Sequence, residues 1–383
     1  MMESAGTEKY PKEILNEKIE NLGAIVSCYS GIESSGAYLS ILSKYNDEGL
    51  DILSQILRYP VFNQNELDIE KGIIKESIIR KNDDPDSITQ TEFNKIIYGD
   101  HPYGRDLQWP VVSKITREDL IGWYNSYYHP NNIMMAVYGD FNKKEMLEKI
   151  NNYFGNWKKE ETAYPEIPKV TNIFHPGIYL YNKDLTQAYI YIGHLGINFD
   201  NPDKYAVIVL NQIMGAGGFT SRLFKKVRTE NGLAYRVGSS FSAGGRDTGQ
   251  FFVYCQTKNN SASKAIKLIL NEINYLRKNP VFDSEINTAK DSIINSYVFS
   301  FENSFSVIQK LMNLEYFNRP SDYYQNYIKN IKKVTKLDVL NAAKKYLHPD
   351  ELTFVVVGKA TDLEKQLSEF GKVTVRQPEG FRE

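Results

Sequence analysis

The sequence predicts an α+β protein made of two similar α/β domains in tandem. Three observations carry this. The chain repeats itself at an offset of about 220 residues, and each copy runs through the same series of amphipathic helix, His-Pro break, apolar run, glycine turn and second amphipathic helix. The third is size, because 383 residues with 42% hydrophobic content suffice for two domains with cores of their own. The expected division is 1–157, a connection over 158–175, and 176–383.

In the first copy Leu50, Leu53 and Ile56 recur at helical spacing until Pro60 ends the helix. Leu270, Ile273, Leu276 and Pro280 repeat the pattern without a gap, and Val61-Phe62 matches Val281-Phe282. A second helix is expected over 65–79. The break Tyr128-His-Pro130 then precedes Met134 to Gly139, which reads as a buried strand closed by a glycine turn. Leu347-His-Pro349 and Phe354 to Gly358 repeat that series. Amphipathic helices follow over 143–154 and 361–370. Between the copies lie Lys158 to Thr162, Pro165 and Pro168, a composition typical of a connection. The second copy opens with two strand-like stretches, Ile178–Tyr181 and Ala188–Ile192, and the first copy shows no counterpart. It is therefore expected to lack two N-terminal strands, roughly 40 residues. A domain short of two strands exposes sheet edges and apolar surface.

Composition excludes several classes. A formal charge of −1 gives no electrostatic case for a nucleic-acid partner. No apolar run is long enough to cross a bilayer. The two cysteines, Cys28 and Cys255, lie in strand-like stretches and read as packed thiols rather than a disulfide framework or metal cluster. No signal peptide is visible, and the compartment is left open. The run Gly215-Ala-Gly-Gly218 lacks the Gly-Lys-Ser/Thr ending of a phosphate loop, so it reads as a tight turn feeding a helix over 220–227. The five histidines, His101, His129, His175, His194 and His348, have no partners at metal-ligand spacing and read as structural.

Candidate chemistry sits in three stretches. The chain starts Met1-Met-Glu-Ser-Ala-Gly-Thr7; the helix over 65–79 carries Glu70, Glu76 and Ser77; and Leu210 to Phe224 leads into Lys226 to Tyr235. Arg228 at a helix end and Tyr235 just past the Gly232 turn are placed to converge. An Arg and a phenol can both donate hydrogen bonds to a carbonyl oxygen as it gains negative charge. Taken alone, the pair also reads as a solvated Arg and a core Tyr, and the two glutamates as a solvated helix face.

Together these stretches resemble the pitrilysin/insulysin metallopeptidases, the family that includes the mitochondrial processing peptidase. Met1 to Thr7 resembles the segment H-M-L-F-x-G-T that closes the family's H-x-x-E-H zinc site, with Met1 where the second zinc-binding His stands. The later stretch resembles L-G-G-x-x-S-R-L-F … L-R-E-x-x-G-L-A-Y. The likeness extends to Gly23–Val26, Asp84-Pro85, Tyr103-Gly104 and Val137 to Asp140. It implies two α/β sandwich domains facing each other like a clam, with peptides held extended against a sheet edge. It puts the third zinc ligand on Ser77 and the acid that supports it on Glu70; a one-residue slip in register would put Glu76 there instead. A neutral hydroxyl is a poor substitute for a carboxylate on zinc. It also implies that Arg228 and Tyr235 bind substrate backbone.

The resemblance thus implies a zinc-free, non-catalytic, substrate-binding subunit of a heteromeric zinc peptidase. Its partners would be a peptide or unfolded polypeptide and a zinc-bearing homologous subunit, with no cofactor in this chain. Two alternatives stay open: an active zinc endopeptidase whose H-x-x-E-H lies ahead of Met1, and a purely structural core subunit.

Overall fold

The computed structural model describes residues 1–171 and 173–382. The first half contains α1 (Lys12–Asn21), β1 (Ile25–Ser30), β2 (Ser35–Ser40), α2 (Asn46–Arg58), α3 (Gln64–Arg80), α4 (Pro85–Tyr98), the short α5 (Trp109–Val112), α6 (Arg117–Tyr127) and α7 (Lys143–Phe154). In the second half come β3 (Gly177–Asn182), β4 (Gln187–Leu195), α8 (Lys204–Asn211), β5 (Ala234–Phe241), β6 (Gln250–Lys258), α9 (Ala262–Lys278) and α10 (Asp283–Phe299). They are followed by α11 (Ser304–Tyr316), α12 (Tyr323–Lys333), α13 (Lys336–Tyr346), β7 (Thr353–Gly358), α14 (Ala360–Leu367) and β8 (Val373–Arg376). Residues 158–171 and 173–176 carry neither helix nor strand.

The duplication extends to the helix caps. Thr116 and Asp119 form a capping box on α6, and Thr335 and Asp338 form the same box on α13. Each box satisfies two backbone amides that the first turn would otherwise leave unpaired.

The second half holds a six-stranded sheet in the order β5-β6-β4-β7-β3-β8. One face packs on its own helices, with Leu180, Ile190, Ile192 and Val356 against Val209, Ile266, Ile269 and Ala343. The other face is covered from the first half. There Ile88, Phe93 and Ile97 of α4 pack on Tyr181, Tyr191, Phe252, Val355 and Val357. Tyr181 donates to Glu92 at 2.7 Å and Arg236 donates to Asp86 at 2.9 Å, so polar contacts rim this apolar seam. The first half's own core gathers Met2, Leu15, Ile52, Ile56 and Phe62.

The first-half sheet is the place where the structure departs from the reading of the sequence. It has two strands, β1 and β2, paired antiparallel. The expected buried strand over 134–138 forms neither strand nor helix and joins no sheet. Met134, Met135, Val137 and Tyr138 are 36–41% exposed, whereas every residue of β7, its copy, is buried. The reason is the neighbours: β7 lies between β3 and β4 and bonds to both, and the described first-half residues supply no such pair. An apolar run becomes a strand only where a ladder can satisfy its amides.

Both cysteines lie in strands and are unpaired, Cys255 buried in β6 and Cys28 half-buried in β1. Burial pushes both thiols up to about 12, so neither ionises near neutral pH.

Candidate functional site

The segment before β5 does not continue as one smooth helix. Helix α8 passes into a π-wound turn over Gln212–Ala216, and a 3-10 turn follows over Gly218–Thr220. Helical structure resumes at Arg222, two residues later than the sequence pattern suggests, and is π-wound over Phe224–Thr229. Such wide turns re-aim side chains and recur at functional sites. The glycines permit this path. A β-carbon at Gly215 would collide with the Ser239 amide of β5, so the turn can press against the strand only with Gly there. Gly232 has φ +61° and closes the segment, with Leu233 N–H donating to the Val227 carbonyl at 3.0 Å.

Arg222 anchors the segment. Its guanidinium donates to Glu272 of α9 and to Glu285 of α10, each at 2.7 Å, and lies on the Tyr275 ring at 4.3 Å. All three charged side chains are at most 17% exposed. The sequence shows the residue type but not this role, because both partners lie far along the chain.

Arg228 and Tyr235 do converge. The guanidinium of Arg228 lies 5.9 Å from the Tyr235 ring centre and 4.7 Å from that of Phe224. Tyr235 is the extra residue of a β-bulge, since Ala234 faces Thr257 while Arg236 faces Gln256. A bulge frees one residue from the ladder and turns its side chain outward. Tyr235 is accordingly 74% exposed, and Arg228 is exposed beside it. Because β5 is an edge strand, its outer main-chain groups are open to another strand. Phe219, 77% exposed and 4.5 Å from Phe224, extends the patch into an aromatic shelf. Sequence reasoning missed Phe219, whose only signal was an aromatic residue next to a glycine run.

The positions that the resemblance assigns to zinc ligands behave differently. Ser77 and Glu76 both point to solvent on α3, and Glu76, 63% exposed, pairs with Arg80 at 3.7 Å. Glu70 turns to the start of the chain, where it accepts from Ser4 at 3.1 Å and lies 3.8 Å from the Met1 amino group. The Met1 side chain packs at the edge of the first-half core. Among the described residues no group of three or more His, Cys, Asp or Glu could hold a metal ion. A thioether, a hydroxyl and one solvated carboxylate do not fit zinc.

Three histidines use ring nitrogens in structural hydrogen bonds. His101 bridges the Pro168 carbonyl and the Tyr103 amide. His129 bonds to the Asn125 carbonyl. His194 bonds to the Leu195 carbonyl and accepts from the His348 amide, and burial depresses it to about 4.

Residues 1–111 match the family model of insulinase (peptidase family M16), and residues 114–293 match that of the M16 inactive domain. The chain belongs to peptidase family M16. It is 25% identical over 308 residues to an uncharacterised zinc protease, YmxG, of Bacillus subtilis, covering 80% of this chain and 74% of that one. It is 24% identical over 368 residues to a non-peptidase homologue of Helicobacter pylori, covering 92% and 84%. It is also 22% identical over 376 residues to the beta subunit of the mitochondrial-processing peptidase of Saccharomyces cerevisiae, covering 93% and 80%. Among solved structures, an M16 inactive-domain protein from Pseudomonas fluorescens superposes with a TM-score of 0.82 at 23% identity, covering 94% of this chain and 86% of that one. That likeness concerns the fold, a two-domain α+β arrangement.

Proposed function

We propose that this M16 chain is the non-catalytic, substrate-binding subunit of a two-subunit zinc peptidase. The observation that carries the reading is the pairing of Arg228 with Tyr235 at the bulged edge of β5, in a chain where the resemblance puts Met1 and Ser77 at zinc-ligand positions. Neither side chain bonds to another described residue in its functional group, so the guanidinium N–H groups and the phenol O–H are free to donate. Both would reach the main chain of an extended peptide lying along β5 and hold its carbonyl oxygen as charge develops on it. The water-activating zinc would belong to a homologous partner, and this chain would complete that partner's site.

The test is reconstitution with a zinc-bearing M16 homologue. Arg228→Ala and Tyr235→Phe, alone and together, are compared in turnover of an unfolded polypeptide. Loss of one transition-state donor typically costs about 100-fold or more in kcat, so a loss of that order is expected with the pair still assembled. Unchanged turnover would favour a structural core role.

A further inference from the structure

Tyr235 is a single residue looped out of a ladder, so its direction is set by what holds the chain on either side of it. Before the bulge the chain is held from within the second half. Thr257, opposite Ala234, donates its hydroxyl to the Leu233 carbonyl at 2.7 Å, and the Leu233 amide donates to the Val227 carbonyl at 3.0 Å. After the bulge comes Arg236, opposite Gln256. Gln256 is fixed in turn, donating to Gln187 at 2.6 Å and to the Tyr189 hydroxyl at 3.0 Å.

Two further contacts hold the Arg236 side chain. A β-carbon at Gly238 would collide with the Tyr254 hydroxyl, so glycine there lets Tyr254 lie across β5. The Arg236 guanidinium lies over that ring, 4.8 Å from its centre, and donates to Asp86 at 2.9 Å. Asp86 stands in the first turn of α4, a first-half helix, and its amide donates to the capping Asp84. The clamp after the bulge therefore reaches from one half to the other, whereas the clamp before it does not.

This ion pair adds little to stability. Its side chains are 55% and 32% exposed, and solvent screens a pair so open. The halves are already joined by the apolar seam of Ile88 and Phe93 on Phe252 and Val355. What the pair fixes is geometry, because Arg236 adjoins Tyr235 along the backbone and is tied to the first half, while Tyr235 lies beside Arg228.

We propose that Arg236 is a positioning residue for Tyr235, and that its pairing with Asp86 couples the direction of the phenol to the seating of α4 on the six-stranded sheet. The inference rests on the reading of Tyr235 as a substrate donor. Arg236 acts through the backbone at the bulge rather than on substrate. A donor displaced by about 1 Å can cost on the order of 100-fold in rate.

The test uses the full chain reconstituted with a zinc-bearing M16 homologue. Arg236→Ala and Asp86→Asn are measured in the native background and in Tyr235→Phe, and a parallel set carries 3-fluorotyrosine at position 235 for fluorine NMR. The expected result is a loss of about tenfold or more in kcat for each variant with KM little changed, an unchanged urea midpoint and a displaced fluorine signal. In the Tyr235→Phe background the same variants should add less than about twofold, since no phenol is left to misdirect. A fluorine signal that neither variant moves would overturn the inference. So would a kcat loss of equal size in both backgrounds, or one that tracks a lowered urea midpoint. If Tyr235→Phe by itself leaves turnover unchanged, the substrate-donor reading fails, and the fluorine signal alone decides whether the pair sets the phenol.

Discussion

Arg222 and Arg228 lie on one helical stretch and serve opposite ends. The first is spent on Glu272 and Glu285 inside the protein, whereas the second reaches solvent beside Tyr235. Breaking a buried pair by removing one partner is costly because the remaining charges stay desolvated. Arg222→Ala should therefore lower stability by about 3 kcal/mol in urea unfolding. Arg222→Lys should recover only part, since an ammonium cannot fork to two carboxylates. A loss below about 1 kcal/mol would mean that the helix is held by packing alone. Of these residues, Arg228 and Tyr235 were legible in the sequence because they lie in a long local pattern. Arg222's partners and the bulge at Tyr235 were not, because each depends on a strand or helix distant in sequence.

At the scale of elements, helices α3 and α7 and strands β3 and β4 fall where periodicity and turn residues place them. The failure at 134–138 is instructive. Its apolar pattern matches β7, but a strand is a property of a pair, and the pattern says nothing about whether neighbours are there. The swap of α4 onto the other half's sheet was equally invisible, because an amphipathic helix does not name the surface it covers. That swap gives Phe93 its weight. The ring is fully buried, with Tyr191 and Phe252 at 6.0 and 5.9 Å. Phe93→Ala should cost about 3–4 kcal/mol by loss of burial and creation of a cavity. The measurement is equilibrium denaturation, and a cost under about 1 kcal/mol would show that α4 does not hold the halves together.

Over the whole molecule, the halves are joined through the α4 seam and through the chain's last residues. Glu379 accepts from Lys95 at 3.4 Å, its carbonyl accepts from Asn82 at 2.9 Å, and Phe381 lies 6.3 Å from Trp109. This frame presents the β5 edge of the six-stranded sheet with Arg228, Tyr235 and Phe219 beside it, while α3 offers no metal-binding set. The central claim is a division of labour, with substrate binding here and zinc chemistry elsewhere. The most direct test is zinc stoichiometry, by elemental analysis of the chain purified without chelator, incubated with Zn²⁺ and desalted. A structural or catalytic zinc site would survive that treatment at about one ion per chain. The expected result is zinc at background level, and about one tightly held ion per chain would contradict the claim and make this protein a peptidase in its own right.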